Sequence, residues 1–261
     1  MSTIQTTTSS TKSSLSPAVG DTYFETDTKN IIVYDGTAWR GYQSDGAFGS
    51  GTFTSNSYSA YFDGTNDYIE TGNKFDFIQQ TCNFSLTFWM KLTDYTTAAN
   101  QFLLANDEAF IWYDNRGGTS ISQNALRMYL GSPGFDATNA ITDNDWHHIA
   151  ATCSASGSIK LYVDGSQILS TTAPSTNSNS STNNLRFGSF TSNTSYLGGY
   201  LDEVAIFNRE LTSSEISNII SNKAYSNFSA MYRLENNADD EVGLNNGSNN
   251  GATFVTSEKP Y

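Results

Sequence analysis

The chain is poor in positive charge. Only 13 of its 261 residues are Lys or Arg, against 26 Asp and Glu, which gives a formal net charge of -13. A field of that sign repels phosphate backbones and anionic bilayers, so nucleic-acid binding is not expected. No apolar run is long enough to span a bilayer, and no membrane insertion is expected either. The opening stretch, MSTIQTTTSSTKSS, lacks the hydrophobic core of a signal peptide. Histidine is confined to His147 and His148. Adjacent residues on a strand point to opposite faces, so the two cannot readily share a metal. No Ser or Cys nucleophile signature accompanies them, and both are read as structural. The two cysteines, Cys82 and Cys153, are too few for a disulfide framework. They are read as buried thiols, with a single disulfide as the alternative.

What the chain does contain is short apolar-polar alternation and many turn residues. Aromatic residues make up 13%, and there are 20 glycines. That composition suits an all-β domain of short strands, and the length allows one large domain plus an appendage. The clearest strands lie between Trp146 and Gly165. One run ends near Cys153, a Ser/Gly turn spans Ser154 to Ser158, and a second run, Ile159 to Val163, ends in Asp164-Gly165, a tight-turn signal. Phe84, Leu86, Phe88, Met90 and Leu92 alternate with Ser85, Thr87, Trp89 and Lys91, which predicts a central strand with one core face. One helix is expected: Thr212 and Glu215 form a capping box, Ile216, Ile219 and Ile220 make an apolar stripe, and the helix should end near Lys223. Residues 1–16 are Ser/Thr-rich and cannot offset their own ordering entropy, so a neighbouring subunit is expected to hold them. Residues 17–42 read as a small hairpin unit, with strands at Thr22–Glu25 and Ile31–Tyr34.

Several of these segments carry a resemblance. WHHIAATCSASGSIKLYVDG (146–165), the opening AYFDGTNDYI (60–69), the 84–92 strand, and GYLDEVAIF (199–207) followed by a short helix together resemble laminin G-like, concanavalin A-type jelly-roll domains. The resemblance implies an all-β jelly-roll sandwich with a short helix, and the hairpin unit at 17–42 is read beside it as a small N-terminal β-hairpin anchor. One departure stands out. The stretch from Met231 to Val255 resembles the piece that normally opens such a domain, yet here it follows the rest. Residues 228–261 are read as supplying those opening strands in cis; a truncated second copy or a strand donated to a neighbour are the alternatives. A second resemblance covers about 25 residues. Gly20, Asp21, Tyr23, Phe24, Thr26 and Asp27, then Tyr34, Asp35, Gly36, Ala38 and Trp39, are similar to a short module of phage head and tail proteins.

The candidate sites follow. The jelly-roll resemblance implies that loop acids at one rim can hold calcium; Asp63, Asn66, Asp67 and Asp202 are the candidate ligands, offering the hard oxygens calcium takes. Trp112, Tyr113, Tyr196 and Tyr200, in or beside loops, are candidate glycan contacts, because flat aromatic faces suit sugar rings. Tyr23, Phe24, Ile32, Tyr34 and Trp39 are the candidate attachment residues. Hydrolases of this fold carry acids spaced E-x-D-x-x-E along one strand, and none is present here. Asp202 and Glu203 are adjacent and should diverge, with Glu203 on the face of Leu201, Ala205 and Phe207.

The resulting expectation is a non-enzymatic virion protein divided at residues 1–44 and 45–261. The first part would attach to other coat or tail proteins, and the second would bind a host-surface glycan or clamp subunits. A homo-oligomer such as a trimer, on the outer surface of a head or tail and assembled in the host cytoplasm, completes the picture. A carbohydrate-binding module of a bacterial surface protein and a glycan hydrolase are the rivals.

Overall fold

The computed structural model describes residues 5–7, 15–18, 21–25, 30–34, 39–43, 49–117, 123–130, 134–172 and 179–261. The first strands are β1 (Gln5–Thr7), β2 (Thr22–Glu25), β3 (Asn30–Tyr34), β4 (Trp39–Gln43) and β5 (Gly49–Thr52), the last paired with Ala224–Phe228. Next come β6 (Ser59–Asp63), β7 (Tyr68–Glu70), helix α1 (Phe77–Thr81), β8 (Phe84–Leu92), β9 (Asn100–Ala105), β10 (Ala109–Asp114), β11 (Ala125–Leu130) and β12 (Phe135–Ala137). The central hairpin and its return are β13 (His147–Cys153), β14 (Ser158–Val163) and β15 (Ser166–Thr172), and β16 (Arg186–Phe187) and β17 (Gly198–Phe207) follow. Helix α2 (Ser213–Asn222), β18 (Ala224–Phe228), β19 (Ala230–Tyr232), β20 (Ser248–Asn250) and β21 (Thr253–Val255) close the chain.

Two antiparallel sheets face each other. One runs β12-β11-β10-β9-β16-β7-β20; the other runs β15-β14-β13-β8-β17-β6-β21, with β19 also against β17. Alternate residues from both meet in one core, including Phe84, Phe88, Ile149 and Leu161 from the eight-stranded sheet and Ile69, Leu104, Ile111 and Phe187 from the seven-stranded one. This is the expected all-β sandwich, and the strand periodicity that predicted it is the reason it forms. Between β14 and β15, Asp164 and Gly165 both take positive φ, 50° and 80°, as a tight antiparallel turn requires. Gly188 is fixed by crowding: a Cβ there would collide with the Phe62 ring, and its φ is +84°.

Helix α2 begins and ends as its sequence predicts. Thr212 and Glu215 form the reciprocal capping box, and Lys223 is a left-handed C-cap. Its buried Ile216 and Ile219 lie in a second apolar cluster with Ala150, Tyr162, Ala205, Phe207, Tyr225 and Phe228. The outer face of the eight-stranded sheet is therefore covered over its central strands, while β15 at the edge stays mostly exposed. Strand β8, expected to have one core face, is buried on both: Ser85 and Thr87 are 0% exposed and Trp89 8%. Helix α1 has no capping side chain and was not foreseen in the sequence.

The cysteines overturn the thiol reading. Cys82 and Cys153 form a disulfide with Cα atoms 5.3 Å apart. Cys153 pairs in register with Phe84, two residues past Cys82, and the left-handed C-cap of α1 turns Cys82 towards β13. A sequence separation of 71 hid that proximity.

The C-terminal strands pack in cis, one on an edge of each sheet: β20 on β7 and β21 on β6. At the other end, β1 to β4 form a separate sheet that shares no strand with the sandwich. Within it β2, β3 and β4 are antiparallel neighbours, and β1 adds in parallel to β2. The arm expected to need a neighbouring subunit is thus held in part by its own chain. Residues 26–29 and 35–38, which join these strands, lie outside the described residues.

Closing a loop of this length should contribute about 2–4 kcal/mol by restricting the unfolded chain. Urea unfolding with and without reductant should show a loss of that size, matched by a Cys82→Ser/Cys153→Ser double variant. Equal stability of oxidised and reduced protein would refute the contribution.

Candidate functional site

With the central strands of the eight-stranded sheet covered, the outer face of the seven-stranded sheet presents, among the described residues, a partly exposed set of rings. Register places Asp136, Arg127, Trp112 and Phe102 side by side across β12, β11, β10 and β9. The next row holds Tyr129, Phe110, Ala105, Arg186 and Glu70. Phe110 and Tyr129 stack with ring centres 4.6 Å apart, and Phe102 and Trp112 stack at 5.6 Å. Phe190 folds over both pairs, 4.9 Å from Phe102 and 5.3 Å from Phe110. Trp112 and Phe102 are nearly buried within the group, while Phe110, Tyr129 and Phe190 keep part of their surface in solvent.

Fixed charges frame the rings. The Arg127 guanidinium lies 5.0 Å above Trp112, and it bonds both Asp114 (2.8 Å) and Asp136 (2.6 Å). Asp114 is buried and also takes Arg116 at 2.8 Å. The two guanidinium groups outweigh the cost of burial, and its carboxyl stays below the usual range. At the far end of the second row Arg186 bonds Glu70 at 2.7 Å and covers Tyr68 at 4.3 Å. The result is a partly exposed aromatic surface edged by neutralised ion pairs, with rigid faces for apolar contact and oriented donors and acceptors beside them.

The glycan candidates divide among different places. Trp112 belongs to this surface. Tyr113, its neighbour, is fully buried in the sandwich core, where its hydroxyl bonds the Tyr95 carbonyl and Asn124; it presents no ring to solvent. Tyr200 is on the other sheet, packed on Tyr61 at 5.0 Å and Trp146 at 6.0 Å. Tyr196 is half-buried in the segment before β17. Phe102, Phe110, Tyr129 and Phe190 were missed. The period of two already put Phe110 on the face of Trp112; Phe102 was hidden by a register shift between β9 and β10.

The calcium candidates do not converge. Asp67 is buried and accepts the Asp63 backbone N–H at 3.0 Å, and Asp63 accepts that of Thr65. Gly198 is the residue paired with Asp63, so Asp202 lies four residues further along β17, on the order of 13 Å away. Among the described residues no group of three or more His, Cys, Asp and Glu is arranged to hold a metal ion.

Asp202 and Glu203 correct the sequence reading. A bulge between Asp202 and Ala205, with Glu203 at φ 49°, breaks the alternation. Leu201 stays in the sandwich core, whereas Ala205 and Phe207 face the second cluster. Instead of diverging, both carboxyls are sealed at 0% exposure under the covering segments. Asn56 donates to Asp202 at 2.7 Å and Arg233 lies 3.3 Å from Glu203. Burial pushes Glu203 up to about 7 despite Arg233, and raises Asp202 well above its ordinary value. His148, buried against Trp89 at 5.2 Å, is pushed down to about 3. His147 instead bonds Asp164 at 2.7 Å and Asp143 at 2.9 Å, which raises its pKa. The attachment candidates Tyr23, Phe24, Ile32, Tyr34 and Trp39 all fall on β2, β3 and β4; Tyr23 pairs with Ile32, and Tyr34 with Trp39.

Comparison with known proteins fits this architecture. A family model described as the concanavalin A-like lectin/glucanases superfamily matches residues 63–217, more than half of the chain. The chain belongs to the concanavalin A-like lectin/glucanase superfamily. No curated protein matches it significantly. Among solved structures, a Bacteroides ovatus protein provisionally described as carbohydrate binding aligns with TM-score 0.62 and 16% identity, over 94% of this chain and 71% of that one. Domain 4 of an extracellular arabinanase from Geobacillus stearothermophilus, in complex with arabinotriose, aligns at 0.48 and 19%, over 69% and 84%. A carbohydrate-binding module of a Ruminococcus gnavus sialidase aligns at 0.46 and 15%, over 62% and 97%. At these identities the first of them supports the shared lectin/glucanase fold alone. No helix among the described residues is long and apolar enough to cross a membrane.

The sealed carboxyl gives a signed pH dependence. Glu203 has a folded pKa of about 7 against an ordinary 4.5. Its contribution is fully present below 4.5 and is lost as pH rises through about 7. A Glu203→Gln variant should therefore gain on the parent by about 3 kcal/mol between about pH 4.5 and pH 8, read from urea midpoints. A difference that does not change with pH would contradict the burial of this group.

Proposed function

We propose that the chain is a non-enzymatic glycan-binding module, carried on the outside of a larger assembly by its N-terminal sheet. The observation that carries this reading is the ring surface of the seven-stranded sheet. Phe110, Tyr129 and Phe190 offer apolar faces, and Arg127, Arg186 and their carboxylate partners supply polar edges. Sugar rings present CH faces and hydroxyl edges that match such a surface. The carbohydrate-binding description of the Bacteroides ovatus protein agrees with this reading.

Two further observations support holding over catalysis. The adjacent acids Asp202 and Glu203 are closed off from solvent, and no strand among the described residues carries the E-x-D-x-x-E spacing of hydrolases of this fold. The N-terminal sheet is set apart from both sheets of the sandwich, and residues 20–39 resemble the phage head and tail module. We therefore read the assembly as a phage particle, with β2 to β4 directed to coat or tail subunits and several copies of the chain side by side. The disulfide fits a working place outside the reducing cytosol. It fits a bacterial surface protein equally well, which keeps that reading as the second one.

A glycan array probed with the full chain tests the binding. The parent should bind at least one glycan class. A Phe110→Ala/Tyr129→Ala variant should lose about tenfold or more in affinity, since each aromatic contact is worth on the order of 1 kcal/mol. An array with no binding, or equal binding by the variant, would overturn the assignment. Cross-linking of intact particles bears on the location: links from residues 20–43 to coat or tail subunits are expected, and links to host-envelope proteins alone would favour the second reading.

A further inference from the structure

A groove of about 490 Å³ opens on the opposite side of the sandwich from the ring surface, between the β14–β15 hairpin and the start of α2. Its size falls in the range of small-molecule sites, roughly 300–1,000 Å³. Tyr162 and Leu211 contribute the apolar part of the lining, and both are nearly fully buried. Around them stand Lys160, Gln167, Glu210 and Ser213.

The hydrogen-bonding capacity of these four is only partly used. Lys160 Nζ bonds Glu210 Oε1 at 2.8 Å, which leaves the second carboxylate oxygen as an acceptor. The Tyr162 hydroxyl donates to Gln167 Oε1 at 3.4 Å, which leaves the amide NH₂ as a donor. Thr212 spends its hydroxyl on the capping box, but its neighbour Ser213 is not part of that exchange. A register shift in the hairpin between Leu161 and Tyr162 sets Tyr162 opposite Gln167, so both reach the groove from adjacent strands. The charges cancel: one ammonium and one carboxylate, already paired. A net anion would meet Glu210 and a net cation Lys160, each at short range, whereas a neutral polyol meets a donor and an acceptor together.

We propose that this groove is a second binding site, which takes one neutral sugar residue or a disaccharide end. An aromatic-and-leucine floor with a matched donor and acceptor suits a hydroxyl-rich ring, because each hydroxyl both donates and accepts. The inference stands on the groove alone and needs nothing from the ring surface. If both sites are filled, one domain holds glycans on two opposite faces and can bridge two separate chains, with a gain in avidity only where both are engaged at once.

Amide NMR of the full chain, titrated separately with galactose, glucose, mannose, N-acetylglucosamine and sulfate, distinguishes the outcomes. At least one sugar should shift amides in 160–167 and 210–214 saturably, and sulfate should not. Gln167→Ala, on an exposed edge strand, should weaken that response about tenfold and leave any shifts at Phe110 and Tyr129 unchanged. Glu210→Gln, which keeps the shape, should weaken it likewise. No groove response to any of the four sugars overturns the inference, whatever happens on the ring surface. A saturable response to sulfate alone overturns the neutral-ligand assignment. Shifts confined to Phe110 and Tyr129 leave the glycan-binding proposal standing and remove this one.

Discussion

Every sheet has two faces, and the shared core of a sandwich uses only one from each. The decisive constraint in this protein is what happens to the other two. Over its central strands the outer face of the eight-stranded sheet is closed by α2, β18 and the C-terminal segment, so Ser85, Thr87 and His148 are as inaccessible as core phenylalanines. Among the described residues, the outer face of the seven-stranded sheet carries stacked rings that stay partly exposed. An aromatic surface left partly in water is costly to keep unless something binds it. The division of labour between the two faces therefore follows from where the apolar stripe of one ten-residue helix lands.

Two register shifts shape the chemistry of those faces. Between β9 and β10 the shift brings Phe102 beside Trp112 and completes the ring cluster. In β17 the shift at Glu203 moves the strand from one alternation to the other, so Leu201 and Phe207 serve different cores. It also places two carboxyls under cover with a single arginine close by. Bulges redirect side chains without breaking a sheet, and here one creates an open surface while the other seals an acidic site.

The ends of the chain are tied down by different means. At the C-terminus, β20 and β21 pair with β7 and β6, so one short segment covers an edge of each sheet. At the N-terminus the chain builds its own small sheet instead of extending the sandwich. A small sheet of that kind has little to bury by itself, which is the physical reason to look for its partner elsewhere. The disulfide adds a covalent link where α1 turns into β8, across a loop that no local interaction could close.

Local pattern was enough for much of this. The alternation in 84–92 and 146–163, the Asp164-Gly165 turn and the Thr212–Glu215 box each specify their local structure through neighbours a few residues apart, and each element formed, although β8 is buried on both faces and not on one. The sequence by itself thus determined the strands, the hairpin, the helix and the sandwich class, because period and turn chemistry are local. Only the tertiary structure decided that Cys82 meets Cys153, that Tyr113 faces inward while Phe110 faces out beside Trp112, and that Asp202 and Glu203 share one sealed place. Those outcomes depend on cross-strand register and on which segment covers which face, and both are set by partners far away along the chain.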